Sequence, residues 1–450
     1  MVQVDSRSGI GGDEMHRIGA RMIGAAAPAS RAHEAVLFME MDLLRQGWPV
    51  GQSLGALPAL QKRLGLGRPA SREAVTILEA RGLLDVRRGP GGGLFVAAPA
   101  LDDVAGAVLM YLALNGGTHA CIDEFRLLVW RMIVTAAIER RIAPPAWDAA
   151  CSEWGLAVEL AERAGNTTMA HLARLAETLV RISDSGAVPP RNRRFEQAIM
   201  QADLPEALQR LDALLGPVSE AAPVVALEVP ERGFSLSGRK SAMALAARLA
   251  RELSASAGTQ EAEWETADRL GYTDAAVRQA RRILQDFGIV RCRRGRKGAE
   301  LAPPSAPTGV IRLLAACLVA SAGSPMDLRE AIHALIRCAP ALAAQRFKAG
   351  PIISASLSPG HDGFELLTLE NHLLDLSGNP LLAIIVRSLG LANIFIVREP
   401  LTPPHLRDVM AINRRILQAI EAGDVETVGA LAQIKFQMMQ QSAEELRGAA

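Results

Sequence analysis

The sequence predicts a mainly α-helical chain of several domains, with β structure confined to small hairpins, and three features predict it. At 450 residues the chain is too long for one ordinary core. Apolar residues make up 49% of it and aromatics only 4%, a balance dominated by Ala and Leu that favours helices over strands. Apolar residues recur at helical spacing through most of the chain, in segments separated by Gly and Pro clusters. The net charge of +1 excludes nothing, so the placement of charges decides what they do. Five cysteines, Cys121, Cys151, Cys292, Cys317 and Cys338, lack paired or metal-like spacing and fit reduced thiols in a cytoplasm. The longest apolar runs, such as Val310 to Ala322, are interrupted by Arg312 and fall short of a membrane span, and the N-terminus carries no signal-peptide pattern.

Residues 1–30, rich in Gly, Ser and Ala without a sustained period, read as a disordered tail. From Ala32 to Arg45 the residues Ala35, Val36, Phe38, Met39, Leu43 and Leu44 keep a helical rhythm. Gly47, Pro49 and Gly51 then break it, and a second short helix is predicted from Leu57 to Leu64. A third should run from Pro69, suited to a first helical position, to Arg81, before Gly82. Its Ala74, Ile77 and Leu78 would face a core, leaving Arg68, Ser71 and Arg72 near the N-terminal end on another face. A strand bearing Arg87 and Arg88, a turn of Gly91, Gly92 and Gly93, and a second strand complete the stretch. That order is a winged helix-turn-helix, whose recognition helix meets base edges and phosphates at its N-terminal end. Arginine supplies a planar fork for both, and glycines let the wing backbone approach a groove. The candidate DNA contacts are therefore Arg68, Ser71, Arg72, Arg87, Arg88, Gly91 and Gly92.

Helical patterns follow over Asp102–Ala143, Ala149–Ile182 and Arg191–Leu215, with Phe125, Leu128, Val129, Met132 and Ile133 marking one core face. Residues 217–236 are proline-rich and aperiodic, and read as a linker. Beyond it the chain repeats itself. At a shift of 206 residues, Leu270–Gly295 falls on Leu64–Gly89 with 11 identities in 26 positions. At a shift of 221, Asn413–Ile420 and Asp424 fall on Asn192–Ile199 and Asp203. The predicted organisation is thus a winged helix-turn-helix over 31–99, a shortened helical domain over 100–216, a divergent winged helix-turn-helix over 237–304 and a second helical domain over 305–446. In the second winged module Arg278 and Arg281 on the helix, with Arg293, Arg294, Arg296 and Lys297 in the wing, are candidate DNA contacts. Asp274 replaces Arg68 there, and it suits a helix N-terminus but repels phosphate.

Val50-Gly51 with Leu54, Arg68 with Arg72, Leu78-Glu79 with Gly82-Leu83, and the Gly91–Gly93 wing resemble the GntR family of bacterial transcription regulators. Gly67 and Ala56-Leu57 depart from its Ser and Ser-Glu positions. The helical blocks resemble the FadR-type (FCD) effector domain, most clearly at Leu376–Leu381 and Asn413–Asp424. Such domains hold a divalent metal through an aspartate and three histidines. The matching positions here are Leu366, Glu370, Asn413 and Lys435 in the second half, and Glu153, Ala157, Asn192 and Leu214 in the first. None is a histidine, so no metal or cofactor is expected. Glu370, Asn413 and Lys435 remain candidates for binding a small-molecule effector without metal.

No GxxxxGK[ST], GxSxG or HExxH pattern is present, so no catalytic residues are expected. The sequence therefore predicts a cytoplasmic regulator of double-stranded DNA, not an enzyme. A fused pair of unlike readers would act as an intramolecular pseudo-dimer on an asymmetric operator, with an effector shifting the pose of one reader against the other and with room for further self-association. The alternative is a co-regulatory or interaction protein that has lost specific DNA binding.

Overall fold

In a computed structural model, residues 19–20, 23, 30–144, 153–184, 192–215, 225–230, 241–255, 261–292, 299–301, 306–321, 323–347, 362–397 and 406–448 are described. The predicted tail thus lies almost wholly outside the described residues. Those described are mainly helical, with a three-stranded antiparallel sheet and a second two-stranded one. By contacts the chain divides into two compact units, Ala25–Ser324 and Met1–Gly24 with Pro325–Ala450.

The larger unit opens with α1 (Arg31–Arg45), β1 (Ser53–Gly55), α2 (Leu57–Leu64), α3 (Arg68–Ala80), β2 (Leu84–Arg87) and β3 (Gly93–Val96). The helices fall where apolar periodicity places them, and Ala35, Val36, Met39, Leu43, Leu44, Ala74, Ile77 and Leu78 are buried. Phe38 is the exception at 47% exposure. Ser30 caps α1, its hydroxyl accepting from His33 N–H, while Gly65 ends α2 in the left-handed region at φ 61°. β1 is an unanticipated element inside the predicted break. It pairs with β3, which also pairs with β2, so the sheet order is β1-β3-β2. Trp48, 1% exposed, donates its indole N–H to Ala97 O at 2.9 Å and ties that break to the end of the sheet.

Six helices follow: α4 (Leu101–Leu114), α5 (His119–Glu139), α6 (Glu153–Arg163), α7 (Thr167–Ser183), α8 (Arg193–Met200) and α9 (Leu204–Leu215). Asn115 to Gly117 break the predicted helix over 102–143, with Gly116 at φ 77°. α7 packs against α4, α5 and α6, and all five predicted face residues of α5 are buried. The predicted linker is not wholly free: residues 225–230 run beside the start of α5, where His119 N–H donates to Val225 O and Leu227 N–H to Gly117 O. Leu227 and Val229, buried at 5% and 6%, explain why.

The unit closes with α10 (Ser241–Ala255), α11 (Glu263–Leu270), α12 (Asp274–Asp286), the antiparallel pair β4 (Val290–Cys292) and β5 (Ala299–Leu301), and α13 (Thr308–Ala320). α11 and α12 begin and end 206 residues after α2 and α3. The second unit holds α14 (Pro325–Ile336), α15 (Cys338–Arg346), α16 (Asp362–Leu376), α17 (Pro380–Val397), α18 (Leu406–Glu421) and α19 (Val425–Gly448). Its core joins Ala343, Leu373, Ile416, Ile420, Val428 and Leu431. The Leu376–Leu381 segment is a double cap. Ser377 Oγ donates to Leu374 O, Gly378 turns at φ 66°, and Asn379 Oδ1 accepts from Leu382 N–H at 2.9 Å.

Among the described residues no helix is long and apolar enough to cross a membrane.

Candidate nucleic-acid interface

Of the four cations expected between residues 31 and 99, Arg68 and Arg72 stand together at the start of α3. Arg68 opens α3 and Arg72 lies one turn on, both exposed. Lys62 and Arg63, also exposed, end α2 across the turn and extend the same basic stretch. The sequence signal for these two was available, since α2 (LPALQKRL) contains no acid. None of the side chains of Lys62, Arg63, Arg68 and Arg72 forms a hydrogen bond or ion pair among the described residues. A helix N-terminus flanked by uncompensated guanidinium groups is a phosphate-seeking surface.

Ser71 does not join it. It is 1% exposed and its hydroxyl donates to Gly67 O at 3.1 Å, so it braces the first turn of α3. The 3.6-residue period turns position 71 toward the core shared by Ala74, Val75 and Leu78. In the wing, Arg88 is exposed, while Arg87 bonds Asp85 at 2.9 Å and lies over the Phe95 ring at 4.1 Å. Gly91 sits exposed at φ 75° with open space beside it. Gly92 is glycine for an internal reason: a Cβ there would lie 2.5 Å from Arg87 O.

The second module is different. Arg281 is 3% exposed and donates to Thr266 Oγ1 at 3.0 Å and to Glu261 O, so it is a core brace and is removed from the expected DNA contacts. It falls at the position of buried Val75, where the helix turns inward. Arg278 is exposed but tied to Glu263 at 3.0 Å. Asp274 begins α12, and Thr273 caps it by accepting from Ala276 N–H. Arg293, Arg294, Arg296 and Lys297 lie outside the described residues.

The two modules meet through α3 and α12. Gln279 donates to Thr76 O at 3.2 Å, and Arg282 pairs with Glu73 at 2.9 Å. At the shift of 206 these contacts are reciprocal, because 279 matches 73 and 282 matches 76. Beside them lies a buried charge quartet. Arg81 Nη1 lies 2.7 Å from Glu40 Oε1 and donates to Asp286 Oδ2 at 2.9 Å, and its Nη2 donates to Gly309 O at 2.8 Å. Arg312, from α13, bonds Asp286 Oδ1 at 2.6 Å and closes the ring on Glu40. All four side chains are at most 6% exposed. Burial by itself would raise the Asp286 pKa, but Arg312 and then Arg81 outweigh it and hold the carboxyl below its usual range. A Cβ on Gly309 would clash with Asp286 Oδ2 and the Asp286 backbone, so glycine is required there.

In the second unit Glu370, Asn413 and Lys435 come together from α16, α18 and α19. Asn413 Nδ2 donates to Glu370 Oε1 at 2.8 Å, and Lys435 Nζ lies 2.6 Å from the same oxygen. Asn413 is fully buried and Lys435 is 3% exposed. Beside them a small, partly open pocket, with room for little more than one water, is lined by His333, Arg337, Lys435 and Phe436, among others. Burial, then Arg329 and Lys435, push the His333 pKa down to about 4, against Glu370. An ammonium group on the carboxylate stands where a divalent ion would have to sit, so this donor set does not fit the metal of FadR-type domains. The first half makes no counterpart: Ala157 is buried and apolar, and Asn192 caps α8 by accepting from Arg194 and Phe195 N–H. Among the described residues no group of three or more His, Cys, Asp or Glu forms a metal site.

One thiol–imidazole pair was not anticipated: His171 Nε2 lies 3.4 Å from Cys317 Sγ. Burial pushes the Cys317 thiol up to about 12 and, with Arg174, the His171 pKa down to about 4. Both groups are neutral at pH 7, the reverse of an activated thiolate pair.

No protein-family model matches the chain, and no curated protein matches it. Among solved structures it is similar to one titled Streptococcus agalactiae GntR, at 18% identity over 45% of this chain and 99% of that chain, with a TM-score of 0.32. So low a TM-score does not define a shared architecture.

Proposed function

We propose that this protein is a DNA-binding transcriptional regulator, a fused tandem copy of a GntR-like winged module and a FadR-like helical domain, that reads DNA chiefly through its first module. The observation that carries this reading is the row of uncompensated cations Lys62, Arg63, Arg68 and Arg72 across the turn and recognition-helix N-terminus. The proposed domains are winged modules over 31–99 and 237–304 and helical domains over 100–216 and 305–446. The matched element offsets and the reciprocal contacts 279 to 76 and 282 to 73 support a duplication folded as a pseudo-dimer, since reciprocity is the mark of a two-fold interface. The second module then acts mainly as the partner that completes the first. Its Arg278 is spent on Glu263 and its Arg281 on the core.

The buried quartet favours motion of the winged pair as one body over a change of pose between its halves. An effector is assigned to the second helical domain alone, at Glu370, Asn413 and Lys435, and the cytoplasm is the compartment this role implies. Genome-wide mapping of bound DNA, followed by gel-shift assay on a recovered site, tests the reading. A mapped motif bound well above random duplex is the expected result. Equal affinity for both would favour a co-regulatory protein, the reading to which the acidic helix-turn-helix face of the second module lends weight.

A further inference from the structure

The helix-turn-helix face of the second module has the opposite character to that of the first. At the shift of 206, Lys62 becomes Asp268 and Arg68 becomes Asp274, while Pro58 becomes Trp264 and Leu66 becomes Tyr272. Trp264 and Tyr272 are 55% and 40% exposed. Around them Glu261, Glu263 and Glu265 add to the two aspartates. Among the described residues, Arg269 and Arg278 on this surface are already held by its own carboxylates: Arg269 bonds Glu252 at 2.8 Å and Glu261 at 2.9 Å, and Arg278 bonds Glu263 at 3.0 Å. Asp268 and Asp274 have no cation partner among the described residues.

We infer that this acidic, aromatic face docks the basic helix-turn-helix face of a second copy of the chain. The two surfaces come from matching positions of like elements and carry opposite charge, and exposed indole and phenol rings are receptors for the guanidinium groups the first face presents. They do not pair within one chain. There α3 meets α12 through Glu73, Thr76 and Arg81, and Arg68 and Arg72 stay exposed. A contact of one face with the other is heterologous, so a pair keeps a free basic face on one copy and a free acidic face on the other, and assembly can continue. It occupies the same arginines that would hold phosphate, so assembly and DNA binding exclude each other.

Sedimentation of the purified full chain tests this, and only the competition arm rests on the proposed DNA reading. At about 50 mM salt the average mass should rise with protein concentration, and at about 0.5 M salt it should return to that of one chain, because exposed charges are screened. A random-sequence duplex should also dissolve the assembly. Asp268→Lys with Asp274→Lys, or Arg68→Glu with Arg72→Glu, should each leave single chains, and mixing the two double variants should restore association. Trp264→Ala should weaken it several-fold. A chain that stays single at low salt overturns the proposal, as does assembly indifferent to both double variants. Assembly that survives excess duplex, in a protein that gel shifts show to bind DNA, overturns the exclusion. The acidic-face variant keeps the first module's cations, so its gel shift reports separately on DNA binding.

Discussion

Arg72 and Arg278 hold matching positions on helices 206 residues apart, and their surroundings give them different work. Arg72 is exposed without a carboxylate partner among the described residues, whereas Arg278 is held by Glu263 at 3.0 Å. Arg72→Ala should therefore cost about 1–3 kcal/mol at the preferred site, and Arg278→Ala well under 1 kcal/mol, measured by titration of labelled duplex. Histidines set a second residue-level expectation. His171 and His333 are held down to about 4 by burial, against 6.5 when free. Between those values an unfolded chain binds protons that the folded one refuses, so stability should fall as pH drops from 6.5 toward 4 and stay level above it. Melting temperature against pH checks the slope, and His171→Gln should flatten part of it. Ser71 and Arg281 show where residue type misleads: both carry groups suited to phosphate, and the helical period turns both inward.

Among elements, α3 and α12 are joined by the feature least visible beforehand. Removing one member of a buried ionic ring leaves its partners charged and dry. Asp286→Asn should cost about 3–5 kcal/mol in urea unfolding, against about 0–1 kcal/mol for Asp102→Asn, whose pair with Arg181 is exposed. Two of the ring's members left a trace in the sequence. Glu40 falls on the apolar stripe of α1 between Val36 and Leu44, and Arg312 interrupts an apolar run. Arg81 and Asp286 left none, because each ends a helix where charge is ordinary. β1 was hidden for a related reason: a three-residue strand between glycines has no period to detect, and only its pairing with β3 defines it. The Val225–Val229 alternation was there to read but too short to stand out from a proline-rich setting.

For the whole molecule, the larger unit, Ala25–Ser324, holds both α3 and α12 with the charge ring that joins them, so a chain cut between them is not half a protein. A fragment ending at Val218 keeps Glu40 and Arg81 but loses Asp286 and Arg312. It should unfold at lower urea than the full chain or aggregate, observed by circular dichroism and light scattering. A fragment as stable as the full chain would show that the first module needs no partner.

The sequence by itself determined the three helices between residues 31 and 81, the proline start and glycine stop of α3, and the internal identity of Leu270–Gly295 with Leu64–Gly89, because periodicity, glycine stops and internal identity are local properties of the chain. It also placed the first module's arginines and brought Glu370, Asn413 and Lys435 under suspicion through resemblance. Only the tertiary structure decided which cations are spent. Whether an arginine faces phosphate, a carboxylate or the core depends on what packs across from it. At Arg81, Arg278, Arg281 and Arg312 that neighbour lies between 15 and more than 200 residues away along the chain.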